Sequence, residues 1–457
     1  MNLNISYFSK PIEACLVFKY FFVSLFIIIV YLSIEKPFAF SQGLPSINDP
    51  SLQLDLVADG IQSPTSMAFL SNNIILITQK EGIISRLDLA NPTILEPILE
   101  LDNVNSKNER GLLGIAIDNN ILVDEMIGNN RTGDFDVFIF VTETGNQLGL
   151  NSQGTDNNNE LRNRVYKYTW DGQSLLNPKI ILDLPAGPGT NHQGGKVKMG
   201  PDNQLYAIIG ELQREGQLQN IKEGPDPDDS GVIFRVNPID GSPSENNPFV
   251  DLDDSNSNPL AKYYAYGIRN SFGFDFDPIT GKMWNAENGQ DLYDEINLVE
   301  PGFNSGWKLV MGPMSKSVGI TIDDLVNFQG SNYAEPLLSW EQSRGITDLE
   351  FLKSDKLGKK YENNIFVGDI TRGNLFFLEI NENRTGLQFE DNLDIAKDLI
   401  ATNEDEINSI TLGSGFKGIT DIETGPDGNL YILTYSRADG GLGALYRISE
   451  NTANPVS

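Results

Sequence analysis

The chain carries a single histidine, His192, in the run Asn191-His192-Gln193-Gly194-Gly195. A neutral imidazole is the side chain best matched to taking a proton from a hydroxyl near pH 7. In a Gly-rich turn it could equally be a surface residue that steadies the turn, so its placement decides its role. With no second histidine, a histidine metal cluster is excluded, and so is a Ser-His-Asp triad elsewhere in the chain. Glu287-Asn288-Gly289-Gln290-Asp291, followed by Asp294-Glu295, gathers carboxylates and carbonyls at loop spacing. Such hard oxygen donors suit Ca²⁺, although the spacing is not that of an EF-hand and a solvated acidic turn is the plain alternative. Arg269 offers a planar fork for a carboxylate or carbonyl of a ligand, or for a structural acid between strands. The acidic runs Asp226–Asp229 and Asp251–Asp254 read as solvated loops. No Gly-rich phosphate cradle is present, which leaves nucleotide cofactors without a seat.

Short β-branched and aromatic runs, punctuated by Gly, Asn, Asp and Pro, must position these residues, because helical periodicity is scarce after residue 42. The runs recur as a unit: a first strand, a tight Asn/Asp/Gly turn, a second strand and at least one more. Units begin at Pro64–Phe69, Arg110–Ala116, Gly194–Met199, Arg269–Phe276, Ile346–Leu352 and Ile419–Thr424. A sheet of that size cannot bury both faces alone, and radial stacking solves the problem. The expectation is an all-β, six-bladed β-propeller with four-stranded blades over residues 55–450, with the polar stretches 146–163, 212–230 and 313–335 as inserted loops. In that geometry the residues before each first strand converge on one channel mouth. They are Glu109 and Arg110, His192 and Gln193, Arg269 and Asn270, Arg344, and Lys417. The loops after the second strands add Gln79, Glu143, Glu211, Glu287-Asn288-Gly289 and Thr371-Arg372.

Composition sets the surroundings. The chain has 457 residues, 33 Lys+Arg against 63 Asp+Glu, and a net charge of -30, a surface that repels nucleic acid. Its one cysteine, Cys15, falls in an N-terminal segment with Lys10 and Lys19, an apolar run Tyr20–Ile34, and small residues Ala39 and Ser41 before Gln42. That pattern reads as a secretory signal over residues 1–41, or as a retained membrane anchor through 16–34. Either way the body is expected outside the cytoplasm, extracellular, periplasmic or at the cell surface, without disulfides. Residues 42–54 read as a linker and 451–457 as a tail. Asn130-Arg131-Thr132 and Asn383-Arg384-Thr385 have the form of glycosylation sequons.

Several motifs also resemble a known family, the soluble glucose/sorbosone (aldose sugar) dehydrogenases that use pyrroloquinoline quinone. They are Glu109-Arg110-Gly111-Leu112-Leu113-Gly114, His192-Gln193-Gly194-Gly195 with Gly200-Pro201-Asp202, and Asn237-Pro238 through Asn247-Pro248-Phe249. The longest runs from Tyr264-Ala265-Tyr266-Gly267-Ile268-Arg269-Asn270 through Phe274–Pro278 and Glu287-Asn288-Gly289 to Asp294–Val299, and Pro426–Tyr431 closes the series. The resemblance spans roughly residues 55–449. It implies a six-bladed propeller that oxidises the C1 hydroxyl of an aldose to the lactone and passes electrons to an external acceptor. It also implies that His192 is the general base and that Arg269 is catalytic. Arg269, Asn270, Thr371, Arg372, Lys417 and Thr420 would hold the quinone, and Glu109, Gln193 and Glu211 would lie near the substrate or the histidine. Glu287, Gly289, Gln290 and Asp291 would hold Ca²⁺.

The chain departs from the family where the cofactor's three carboxylates need cations. Gly418-Ile419-Thr420-Asp421 stands where relatives commonly have Arg-x-Arg-Asp, and Thr371 stands where some have lysine. Gln290 replaces a proline, and Ser305 replaces the tyrosine of Asn-Tyr-Gly-Trp. Lys417, Arg372 and Arg344 are the cations at hand to compensate. Two other functions remain open on sequence: a propeller that binds ligands without catalysis after losing the cofactor, and a calcium-dependent lactonase.

Overall fold

The computed structural model describes residues 44–118, 135–144, 161–251, 258–390 and 394–453. The signal or anchor of residues 1–41 lies outside them, as do the sequon at Asn130 and most of the 146–163 loop.

The strands of the described residues group into six sheets. In the first, Pro64–Phe69, Ile74–Gln79, Ile83–Asp88 and Leu95–Glu100 run antiparallel in chain order. The same four-strand core opens at Leu112–Ile117 in the second sheet, Val197–Met199 in the third and Ser271–Phe276 in the fourth. It opens at Ile346–Phe351 in the fifth sheet and Ile419–Thr424 in the sixth. Neighbouring sheets touch in closed order. Pro64–Phe69 packs on Leu112–Ile117, which packs on Val197–Met199; Leu205–Ile209 of the third sheet meets Ser271–Phe276. Ser271–Phe276 then packs on Ile346–Phe351, that strand on Ile419–Thr424, and that one back on Pro64–Phe69. This is a β-propeller arrangement. It closes through the N-terminal strand Leu52–Gln62, which pairs antiparallel with Leu442–Glu450 and completes the sixth sheet.

The packing explains the sequence pattern. Inner strands are covered on both faces by adjacent sheets, so Ile75, Leu76 and Ile77 are all buried in sequence, giving apolar runs in place of clean alternation. Aromatic rings fill the seams between sheets: Phe69 meets Tyr431 at 5.0 Å, Tyr206 meets Phe276 at 4.9 Å, and Trp284 meets Phe351 at 6.2 Å, all edge-on.

Three sheets exceed the expected four strands. Phe303–Asn304 and Asn332–Tyr333 extend the third, Ile400–Ala401 the fourth, and Ser46–Ile47 and Leu387–Gln388 the fifth. Inserted loops run back along outer edges and satisfy edge groups that a bare strand would expose. Part of the 42–54 segment is therefore itself strand.

Candidate active site

His192 sits at the end of the loop leading into the third sheet with φ 61°, followed by Gly194 at 65° and Gly195 at 114°. Left-handed backbone at three nearby positions makes a tight turn, and an imidazole-bearing residue holds that shape only if the surroundings enforce it. They do so from two directions. The His192 N–H donates to Glu109 Oε2 at 2.6 Å, and Gly195 N–H donates to the Ile208 carbonyl at 3.0 Å. Gly210 is part of the same mould: a Cβ there would overlap the His192 carbonyl and lie 2.9 Å from the Arg269 carbonyl.

Both ring nitrogens of His192 are engaged. Nδ1 is bonded to Glu211 Oε1, while Arg269 Nη2 lies 3.1 Å from Nε2. A guanidinium can only donate and a carboxylate accepts, so the network places the proton on Nδ1 and leaves the Nε2 lone pair facing Arg269. The neighbouring acids are built into the same frame. Glu109 Oε2 also accepts from Asn270 Nδ2 at 3.1 Å, and Glu211 N–H donates to the Arg269 carbonyl at 2.9 Å.

Arg269 is the hub. Its Nη1 donates to the carbonyls of Asn288 at 2.9 Å and Gly289 at 2.8 Å, and its N–H donates to Glu287 Oε1 at 2.7 Å. The guanidinium carbon lies 5.2 Å from the centre of the Trp307 ring, a cation–π contact. Burial pulls the Arg269 pKa down, opposed by the charges of Glu211, Glu287, Glu109 and Asp294. Glu287 is fully buried; its Oε2 accepts from Ser305 Oγ at 2.6 Å, and burial lifts its pKa to about 7. Glu295, also buried, is pushed well above the carboxylate range by burial first and Glu287 second.

The expected calcium seat does not assemble. Both Glu287 oxygens serve Arg269 N–H and Ser305, the Gly289 carbonyl already takes the Arg269 guanidinium, and Gln290 and Asp291 are exposed. Among the described residues no group of three or more His, Cys, Asp or Glu could hold a metal ion. The cation that these carbonyls serve here is a side chain. Asp294 holds the loop by accepting from Gly289 N–H at 2.9 Å, Ser343 Oγ at 2.5 Å, and the N–H groups of Arg344 and Gly345 at 2.6 and 2.7 Å.

Other expected site residues divide. Gln193 was expected near substrate, but it is fully buried: it takes Asn163 Nδ2 at 2.8 Å and donates to the Gly189 carbonyl at 3.1 Å. Its amide is consumed in supporting the turn. Arg110 likewise bonds the carbonyls of Ala186 and Gly189, and Glu143 takes Arg164, Tyr166 and Asn103. Lys417 is exposed and paired with Asp439, Thr420 Oγ1 bonds the Leu433 carbonyl at 3.3 Å, and Thr371 is exposed. Arg344 is almost fully buried beside Arg372, and both reach Glu404. Ser305 and Trp307 shape the site without having been singled out as site residues in sequence. Their only signal is membership of the Asn-Ser-Gly-Trp motif.

A family model described as glucose / sorbosone dehydrogenase matches residues 61–447. The chain belongs to that family. It is 23% identical over 401 residues to the aldose sugar dehydrogenase YliI of Escherichia coli, covering 87% of this chain and 93% of that protein. It is 26% identical over 276 residues to quinoprotein glucose dehydrogenase B of Acinetobacter calcoaceticus, covering 56% and 52%. Among solved structures, the soluble aldose sugar dehydrogenase of Escherichia coli in the apo form shares the fold. Its TM-score is 0.63 at 21% identity, over 88% of this chain and 100% of that one. The aldose sugar dehydrogenase of Streptomyces coelicolor in its PQQ-bound form gives 0.57 at 20% identity, over 88% and 99%. In this glucose / sorbosone dehydrogenase family member, the His192–Arg269 pair lies within the matched span.

The far ends of the innermost strands are chemically distinct. A cavity of about 810 Å³ opens there, lined by Phe69, Ile117, Met199, Phe276 and Thr424 among others. Lys198, Asp275 and Glu350 are part of its lining: Lys198 pairs with Asp275 at 2.9 Å and Glu350 at 2.7 Å, and on the same strand Lys196 pairs with Asp348 at 3.0 Å and Asp421 at 2.6 Å. These pairs tie the third sheet to the fourth, fifth and sixth across the axis.

Proposed function

We propose that this chain is an exported quinoprotein that oxidises the C1 hydroxyl of an aldose to the lactone, within a ring of six blades, one per sheet. The observation that carries the reading is the double anchoring of His192, with Nδ1 held by Glu211 and Nε2 facing Arg269 at 3.1 Å. Export rests on the basic, apolar and small-residue order of residues 1–41.

The residues fit pyrroloquinoline quinone in one respect that the structure carries: Arg344, buried at the rim, has Nε and Nη1 without a hydrogen-bond partner among the described residues. Arg269 and Asn270 would hold the polar edge of the quinone. When bound, the quinone supplies a two-electron hydride acceptor. The protein's own part is acid–base chemistry and positioning. Glu211 fixes the Nδ1–H tautomer, so the Nε2 lone pair accepts the C1 hydroxyl proton as the C1 hydride departs. The proton then rests on an imidazolium stabilised by Glu211, and the product is the neutral lactone. Arg269 donates into Nε2 until substrate arrives, and its fixed positive charge then faces the negative charge that develops beside it. An external acceptor must reoxidise the cofactor.

The test is dye reduction by the protein reconstituted with pyrroloquinoline quinone, screened over aldoses, beside His192→Gln. A wild-type rate that falls at least about a hundredfold in the variant supports the reading. An unchanged rate removes His192 from the chemistry.

A further inference from the structure

Two arginines at the site rim converge on one carboxylate. Arg372 Nη1 donates to Glu404 Oε1 at 2.9 Å, and Arg344 Nη2 reaches the same oxygen at 3.4 Å. Glu404 is two-thirds exposed, whereas the Arg344 side chain is 3% exposed. A buried guanidinium with Nε and Nη1 unpartnered leaves donor capacity unused, a costly state for groups withdrawn from water. Asp369 lies close enough for the Arg344 charge to act on its carboxyl, yet its Oδ2 has no hydrogen-bond partner among the described residues. Asp294 gives its oxygens to Ser343 and to the backbone N–H groups of Gly289, Arg344 and Gly345. Asp369 accepts from the N–H groups of Arg372 and Gly373 at 2.6 and 2.7 Å, and burial raises its pKa to about 6. The one acid that meets both guanidinium groups is the exposed Glu404.

The backbone of Arg344 is linked to the reacting groups. The Arg344 N–H bonds Asp294, Asp294 bonds the Gly289 N–H, the Gly289 carbonyl takes Arg269, and Arg269 faces His192. The sixth-sheet position, where two arginines are wanting, instead shows Thr420 bonded to a strand carbonyl and Lys417 paired with Asp439.

We propose that Arg344 and Arg372 form the seat for a carboxylate of the quinone, and that Glu404 occupies this seat as a placeholder when the cofactor is absent. The seat thus supplies from the fifth sheet the cationic anchor that the sixth lacks, and it rests on the quinoprotein reading above. Binding exchanges one carboxylate for another on the same forks, and Glu404 swings into solvent.

The experiment is calorimetric titration of the whole protein with pyrroloquinoline quinone, for wild type, Arg344→Gln, Arg372→Gln and Glu404→Gln, with thermal melting of each variant. Loss of one charge-assisted contact should weaken binding by roughly tenfold or more for Arg344→Gln, and several-fold for half-exposed Arg372→Gln. Glu404→Gln should tighten binding several-fold, because a competitor is removed. If Arg344→Gln does not fold, Arg372→Gln and Glu404→Gln carry the test. Binding by wild type with equal affinity in all variants overturns the seat and leaves the quinoprotein reading standing. Weaker binding by Glu404→Gln overturns the placeholder. Absence of binding by wild type overturns the quinoprotein reading and the seat with it.

Discussion

Arg269 Nη2 and His192 Nε2 face each other at 3.1 Å, so the nitrogen that would accept a substrate proton is covered by a guanidinium until something displaces it. An arginine cannot accept a hydrogen bond, so the contact is possible only while His192 is unprotonated at Nε2. The resting site is therefore set in its basic form. Arg269→Lys keeps a charge but loses the fork that reaches Asn288, Gly289 and His192 together. Turnover should drop by about tenfold or more while the fold is retained, as read by dye reduction and melting temperature.

Glu211 positions the imidazole. Glu211→Gln can still meet Nδ1 through its carbonyl oxygen, but it no longer carries a charge to stabilise the imidazolium. We expect kcat to fall roughly ten- to hundredfold with KM little changed, and the acidic limb of the kcat/KM profile to move to lower pH. A purely structural role would leave that limb in place.

Gly210 has no room for a side chain between the carbonyls of His192 and Arg269. Gly210→Ala should push these two loops apart, lowering kcat at least about tenfold, because small displacements of a reacting group are costly. A variant with wild-type kinetics would show that the mould is softer than its contacts imply.

The buried Glu287 makes a pH prediction. Its folded pKa, about 7, lies above its ordinary value of 4.5, so the folded state holds the proton more tightly than the unfolded chain. Folding stability from this group is greatest below about pH 4.5, declines as pH rises through 7, and levels off above. The penalty at pH 8 is on the order of 3 kcal/mol. Glu287→Gln should therefore stabilise the protein more at pH 8 than at pH 5 in urea unfolding. The Gln carbonyl can still accept from Arg269 N–H, and Ser305 can turn its hydroxyl to accept.

Lys196 is the cation on which Asp348 and Asp421 depend, and all three side chains are nearly free of solvent. Lys196→Met removes one partner and strands two buried carboxylates. The expected loss is about 3–5 kcal/mol by urea denaturation, with recovery when Asp348→Asn and Asp421→Asn are added.

Much of this arrangement is legible from sequence, for physical reasons that differ by residue. The strand cores showed because burial on both faces demands unbroken apolar runs such as Ile74–Thr78. The meeting of His192, Arg269, Glu109 and Glu211 could be expected because strand starts and second-strand ends converge in a propeller. What sequence could not show was which polar groups spend their hydrogen bonds on the scaffold. Gln193 and Glu143 hold strand positions like those of Glu109 and Glu211, yet Asn163 and Arg164 claim them from neighbouring strands. Of the residues expected to hold calcium, Glu287 and the Gly289 carbonyl are there, but spacing along the chain does not reveal that Ser305 and Arg269 take them.

The pairing of Leu52–Gln62 with Leu442–Glu450 has a consequence for how the molecule is made. Asn451 N–H reaches the Ser51 carbonyl at 2.7 Å, so the earliest and the latest residues of the ring are hydrogen-bonded neighbours. A chain emerging in order must hold Leu52–Gln62 unpaired until Leu442–Glu450 is synthesised, with the loop-closure entropy of the whole stretch between them still to be met. The four-strand cores of the other sheets can form locally in sequence, with only the edge strand Ser46–Ile47 of the fifth drawn from far away, whereas the core of the sixth cannot. Closure is thus the natural slow step of folding. A truncation that removes Leu442–Glu450 would delete one strand, orphan another at the opposite terminus, and leave the ring an open arc with two exposed faces.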